Sequence, residues 1–376
     1  MHPILTLKQA RRLALAAGTG FHRPPGRGPT AVGALVDRIG FVQIDTISVV
    51  ERAHHHVLAA RLPQYQTPWL SQAPVFEYWA HAAAYLPWRD FRHTLPRKER
   101  VLAHGHDWFR VEPQDVDHVL QRIRTEGPLM ARDFEAPKRT AGWWDWKPAK
   151  RALEFLFMSG QLMVLPRQGF QKVFDLTERV LPPGTDTRMP SPREHAQWYV
   201  DRALDAWALV ARDEVGYLRR EHVGEIATVL KEQEESGALV RVFLEGDPKV
   251  AYWVRSADLA GVDALPGPGR DVKILSPFDP LLIHRKRLKR IFGFDFSIEC
   301  YVPAPKRTFG YFALPLLKGD TFVGLLDAKA DRDAGRLVVK NLRYDGPAKG
   351  RGAFDAALTP ALERFAKFNG VEPPST

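Results

Sequence analysis

Two four-residue stretches, Ser159-Gly160-Gln161-Leu162 and Ser236-Gly237-Ala238-Leu239, stand 77 residues apart and constrain the reading of the whole chain. Each follows a helical pattern, Lys147 to Met158 in the first copy and Glu221 to Glu235 in the second. Each precedes a hairpin. Residues 161–166 and 171–176 flank an Arg167-Gln168-Gly169 turn, and residues 238–244 and 249–254 flank Glu245-Gly246-Asp247-Pro248. Upstream, each copy carries another helical pattern and a short connecting element: 113–125 then 128–134, and 191–210 then 213–217. Helices followed by a β-hairpin describe a winged helix, and recurrence at a fixed offset is a stronger signal than either copy alone.

The first hundred residues read as a third, weaker copy. Thr6 to Ala17 is helical with Thr6 in a capping position, 21–29 is a Gly/Pro loop, and Thr30 to Ile39 is a helix ended by Gly40. Phe41 to Asp45 then takes the place of the first wing strand, with further strand at Val75 to Leu86 and a basic helix at Trp88 to His104. Past the Pro266-Gly267-Pro268-Gly269 linker come short extended runs at 298–302, 309–317, 321–329 and 336–341, separated by turn residues. That spacing predicts a small antiparallel sheet or barrel. A basic helical insert at 282–292 and a closing amphipathic helix at 352–368 accompany it. The expected fold class is therefore α+β, with winged-helix domains at 1–105, 106–186 and 187–265 and a β-barrel-like domain with a C-terminal helix at 270–376.

At 376 residues the chain is long enough for two to four small cores. Its 45% hydrophobic and 26% charged content is that of a soluble globular protein. Lys and Arg number 54 against 44 Asp and Glu, a net +10 that favours a polyanionic partner. One cysteine, Cys300, can form neither an internal disulfide nor a Cys-based zinc site by itself. No stretch near the start resembles a signal peptide, and no window approaches the ~20 apolar residues of a membrane span. A cytoplasmic protein without membrane contact is expected.

Gly40-Phe41-Val42-Gln43-Ile44-Asp45-Thr46 carries the densest chemical information. On a strand, Val42 and Ile44 face one way while Gln43 and Asp45 face the other, about 7 Å apart. An amide and a carboxylate side by side can be solvated on an edge strand, or can be a working pair. What favours the second reading is company: Glu51, Arg52 and His54-His55-His56 follow within a few residues. Three consecutive histidines also invite a metal. In an extended segment His54 and His56 share a face, and in a helix all three diverge by about 100° steps, so neither geometry completes a tetrahedral site. No metal is expected, and contact of Arg52, His54, His55 and His56 with phosphates or bases is.

His81 reads equally as core or site. Trp143-Trp144-Asp145-Trp146, set among Lys138, Arg139, Lys147, Lys150 and Arg151, could grip nucleic acid but reads better as a core anchor. The runs 92–100, containing Arg97 and Lys98, and 284–290 are the better electrostatic candidates, provided each lies on one surface. P-loop, Rossmann, GxSxG and cysteine-nucleophile signatures are absent.

Gly40 to Ile47 together with Glu51-Arg52-Ala53-His54-His55 resembles the AlkZ/YcaQ-like bacterial DNA glycosylases. The resemblance continues through Ser276-Pro277-Phe278-Asp279-Pro280-Leu281, Glu299-Cys300-Tyr301-Val302-Pro303-Ala304-Pro305-Lys306-Arg307 and Asp327-Ala328-Lys329-Ala330-Asp331-Arg332. It implies tandem winged helices arranged as a C and closed by a β-barrel, excising alkylated purines and unhooking interstrand crosslinks. It also implies a Gln-Φ-Gln or Gln-Φ-Asp catalytic element, here Gln43-Ile44-Asp45, the form similar to the broader-specificity branch. Lys329 and Arg332 match a hairpin-tip motif and are carried over as DNA contacts, although the residues by themselves give no account of that tip.

The implied chemistry is sound from first principles. An N7- or N3-alkylated purine is already cationic, so its departure needs no general acid. The developing oxocarbenium needs an anion and the attacking water a base, and Asp45 can serve as both while Gln43 holds the water. No lysine in the segment is placed for a Schiff base, so cleavage at the abasic product is not expected. The expected protein is a cofactor-free, monofunctional glycosylase acting as a monomer on double-stranded DNA. A non-enzymatic winged-helix regulator would explain charge and repeats as well, but not a Gln/Asp pair on a wing strand.

Overall fold

A computed structural model describes residues 2–19, 21, 25–105, 110–134, 148–218, 221–267 and 269–374. The chain forms two compact units: Pro74–Ser191, and a larger one built from Met1–Ala73 with Pro192–Thr376. The tryptophan cluster at 143–146 lies outside the described residues.

In the smaller unit, the helix Pro113–Glu126 begins with Pro113, whose missing N–H costs nothing in the first turn, and stops at Gly127. The helix Pro148–Met158 runs into the hairpin Leu162–Gln168 and Gln171–Leu176, and Leu129–Met130 adds a third antiparallel strand against the second hairpin strand. In the larger unit, the helices Pro192–Trp207 and Val223–Glu235 lead to Leu239–Leu244 and Asp247–Arg255, and Leu209–Ala211 pairs with the second hairpin strand. Strand order and pairing sense are the same in both copies, with Ile4–Leu5 added in parallel beside Leu239–Leu244 in the second.

The repeated Ser-Gly-x-Leu is the joint between helix and wing. Gly160 and Gly237 hold φ of +83° and +76°, which reverses the chain after each helix. The next element is tied back to the same joint. Thr177 N–H donates to Gln161 O at 3.1 Å and Ser256 N–H to Ala238 O at 3.0 Å, while the hydroxyls of Thr177 and Ser256 donate to the carbonyls of Gly160 and Gly237. At Gly160 there is a second constraint: a Cβ would lie 2.6 Å from Cδ of Lys98.

Residues 270–376 depart from the expected barrel. Val272–Ile274, Ala313–Lys318, Thr321–Asp331 and Arg336–Tyr344 form one antiparallel sheet in that order, with the first and last strands left as edges. Four strands are too few to close around a filled interior, and packing on both faces removes the need. Leu314, Leu316, Leu326, Ala328 and Ala330 meet Phe354, Leu358 and Phe365 of the helix Arg351–Phe368. Ala313, Leu317, Phe322 and Leu325 meet Phe292, Phe294 and Phe296 on the other side. The basic run 284–290 is divided between surface and core, with Lys286 and Lys289 exposed. His284 and Arg287 are buried, and Arg287 bonds Glu214 at 2.7 Å and the carbonyl of Leu209 at 2.8 Å.

Candidate active site

Gly40, at φ +86°, ends the helix Gly28–Ile39 and turns the chain into the segment that carries Gln43 and Asp45. Only Val42–Gln43 is regular strand, yet the alternation of burial runs further: Val42 and Ile44 are buried, Gln43 and Asp45 half-buried. Amide and carboxylate thus sit on the side away from the core, as period two requires. Oδ1 of Asp45 accepts the N–H of Ile47 at 2.8 Å, a local turn that fixes the carboxylate. Burial raises its pKa above the ordinary aspartate value, and bonds from the Ile47 and Thr46 N–H groups partly offset that. A raised pKa makes the carboxylate a better base once ionised.

The loop beyond Asp45 is stitched to distant parts of the larger unit. Ala330 N–H donates to Val49 O at 2.9 Å, Arg332 donates to Ser48 O at 3.1 Å, and Glu51 N–H donates to Oδ1 of Asn369 at 2.6 Å. Ile47 packs on the core between the sheet and the C-terminal helix, and Val50 and Ala53 are buried in it. The 329–332 tip therefore has a structural role that its residues did not disclose. Arg61, just beyond the helix Ala53–Ala59, makes a bidentate pair with Asp279 at 2.6 and 2.7 Å, both side chains fully buried. Asp279 also caps the helix Pro280–Ile283 by accepting the Leu281 N–H.

A second loop reaches the same place. The carboxylate of Asp45 raises the pKa of both the Cys300 thiol and the Tyr301 phenol, in each case after the larger effect of burial. Glu299 orders that loop by accepting the N–H groups of Thr308, Phe309 and Gly310 at 2.9, 2.8 and 3.0 Å. Burial alone would raise its pKa, but those backbone bonds hold it down at about 2. The next N–H, of Tyr311, goes to the buried carboxylate of Asp327. Four consecutive backbone donors are thus taken by two acidic residues, one on either side of them in the chain. Residue-by-residue reading singled out none of Glu299, Cys300, Tyr301, Asp327 or Asn369 as site components. The signal for the first four was the extent of the similar stretches at 299–307 and 327–332.

The histidines separate, because the segment is helical. His54 and His56 are 3% and 2% exposed, and Nε2 of His56 bonds the carbonyl of Ile274 at 2.9 Å. His55 is half-buried, with Nδ1 2.8 Å from the Tyr65 hydroxyl. Burial lowers both His55 and His56 to about 4, so both are neutral at physiological pH. The expected contact of the histidines with phosphates or bases is corrected for His54 and His56, since a phosphate or base cannot reach a ring walled into the core. Arg52 is half-buried at the head of the helix, and Lys329 and Arg332 are exposed.

In the Pro74–Ser191 unit, His81 lies in the turn between the strands Val75–Trp79 and Ala83–Pro87. The Arg97 guanidinium lies 5.3 Å from the Trp79 ring. Lys98 is only 5% exposed, with Nζ 3.9 Å from the Phe91 ring centroid, and burial brings its pKa down to about 7. The pairing of Arg97 with Lys98 as surface cations is corrected for Lys98, whose stem fills the space over Gly160. Among the described residues no group of three or more His, Cys, Asp or Glu is arranged to hold a metal, and no helix is long and apolar enough to cross a membrane.

These features coincide with a known type of protein. The structure superposes on a DNA glycosylase AlkZ from Streptomyces sahachiroi with a TM-score of 0.60 at 17% identity, covering 98% of each chain. A family model described as "DNA glycosylase AlkZ-like" matches residues 36–368, a span that takes in Gln43, Asp45, Glu299, Asp327 and the 329–332 tip. The chain belongs to the AlkZ-like DNA glycosylase family.

Proposed function

We propose that the protein hydrolyses the N-glycosidic bond of cationic alkylated purines, N7-alkylguanine and N3-alkyladenine, and unhooks interstrand crosslinks in double-stranded DNA. Asp45 is the base for the attacking water and the anion beside the developing oxocarbenium, and Gln43 positions the water. The observation that supports this most is the setting of Asp45. It is half-buried, fixed by the Ile47 N–H, and carries a raised pKa, on a loop braced by Ala330, Arg332 and Asn369. A carboxylate with no role gains nothing from being desolvated and held still.

Segments 1–105, 106–186 and 187–265 act in this reading as winged-helix domains, with Gln43 and Asp45 on the first. Arg52, Arg97, Lys329 and Arg332 neutralise phosphates in this reading, and the protein works as a monomer without a cofactor. The test is incubation with duplex DNA containing a single N7-methylguanine, scored for abasic sites. Loss of the base with the parent protein and not with Asp45→Asn supports the reading. DNA binding without base loss would instead support a non-enzymatic DNA-binding protein.

A further inference from the structure

Tyr301 is 74% exposed, the only aromatic among the large, strongly exposed hydrophobic side chains of the described residues. Its loop is not loose. Val302 N–H donates to Glu299 O at 2.9 Å, and Arg307 donates to Val302 O at 2.9 Å with its guanidinium 4.9 Å from the Tyr311 ring. The Glu299 and Asp327 carboxylates fix the returning segment of the loop through the N–H groups of 308–311. Ile298, three residues before Tyr301, packs on the same core cluster that receives Ile47, two residues after Asp45. The ring is thereby mostly exposed on a braced support, with its hydroxyl partly covered and within reach of the charge of Asp45, the carboxylate proposed to do the chemistry. A ring so placed offers an apolar face and a polar tip to a base brought to that carboxylate.

We propose that Tyr301 is a substrate-contacting specificity residue whose ring packs against the alkylated purine and favours the cationic base over its neutral parent. The chemistry is that of a cation over an aromatic face. A positively charged heterocycle is attracted to the ring quadrupole, whereas an undamaged guanine gains only stacking. This rests on the reading of Asp45 as the reacting carboxylate, and it adds a source of selectivity that Asp45 and Gln43 do not supply by shape.

The experiment measures dissociation constants for two duplexes with 2′-fluorinated sugars that block hydrolysis, one with N7-methylguanine and one with guanine at the same position. The ratio of the two is compared for the parent, Tyr301→Phe, Tyr301→Trp and Tyr301→Leu. We expect the parent to prefer the methylated duplex, Phe and Trp to keep that preference, and Leu to lose about 5- to 30-fold of it. Tyr301→Leu should melt with the parent, since the side chain lies at the surface. A parent without preference, or a Leu variant with the parent's ratio, overturns the proposal. So does a Phe variant that loses as much as Leu, because that would assign the effect to the hydroxyl. Excision by Asp45→Asn, measured separately on hydrolysable DNA, would remove the catalytic reading while leaving this binding ratio to be judged by itself.

Discussion

Ala330 donates its backbone N–H to the carbonyl of Val49 across 2.9 Å, joining the hairpin tip of the C-terminal sheet to the loop that follows Asp45. With Arg332 on Ser48 and Asn369 under Glu51, it makes three bonds within the four-residue stretch 48–51. The helix Ala53–Ala59 is held from its other end by the buried Arg61–Asp279 pair. The position of the Asp45 carboxylate is therefore set by the sheet and its covering helix as much as by its own strand.

Asn369 tests this directly. Its Oδ1 accepts from Glu51 and its Nδ2 donates to Phe365 O at 2.8 Å. Asn369→Leu should cost about 1–3 kcal/mol in urea melts by leaving the Glu51 donor without its partner. Excision should slow even under conditions where the variant is fully folded, as read by single-turnover rates.

Asp45→Asn should reduce excision by about 10²–10⁴-fold with DNA affinity little changed. Gln43→Ala should cost less, since the carboxylate still supplies base and charge. The parent's rate should fall with pH on the acid side as Asp45 protonates, at a pH above the ordinary aspartate value, and the Asn variant should lack that limb. The sign for stability is the reverse. A folded-state pKa raised by burial means that ionisation is disfavoured in the native state, so Asp45→Asn should melt higher than the parent at neutral pH. The gap should close in acid below the unfolded value.

Glu299 should behave in the opposite way. Its folded pKa of about 2 lies below the unfolded value, so its contribution is complete above about pH 4.5 and is lost as pH falls toward 2. Glu299→Gln should melt below the parent at pH 7, with the difference shrinking in acid. Differential scanning calorimetry between pH 3 and 7 would show it.

Lys98→Met should stabilise the protein by about 1–3 kcal/mol at pH 7 and below. With a folded pKa of about 7, the native state sheds a proton that the unfolded chain keeps up to about pH 10.4, so the gain should fade across that interval. The same variant should leave the salt dependence of DNA binding alone. Replacing Lys329 and Arg332 together should lower the slope of log affinity against log salt by about 1–2.

Local rules made much of this molecule legible. Gly160 and Gly237 could be recognised because reversing a chain after a helix needs a residue tolerant of positive φ, and that demand does not depend on surroundings. Gln43 and Asp45 could be placed on one face because strand period is geometric. His54, His56 and Lys98 were misjudged because polarity is written in the residue while burial is decided by Ile274, Phe91 and other distant neighbours. The barrel was misjudged because strand spacing is the same whether a sheet closes or is covered. The Glu299 brace was illegible for a third reason: its donors are consecutive backbone N–H groups, which no side-chain pattern announces.

The brace also has a consequence in time. Asp45 is made well before Ala330, Arg332 and Asn369, the residues that brace its loop. At about 5–20 residues per second, roughly 15–65 s separate the carboxylate from its final support. A nascent chain can hold complete helix-and-hairpin segments and still have no ordered loop around Asp45. Premature termination anywhere before Asn369 yields a product that carries Asp45 without the full brace of its loop.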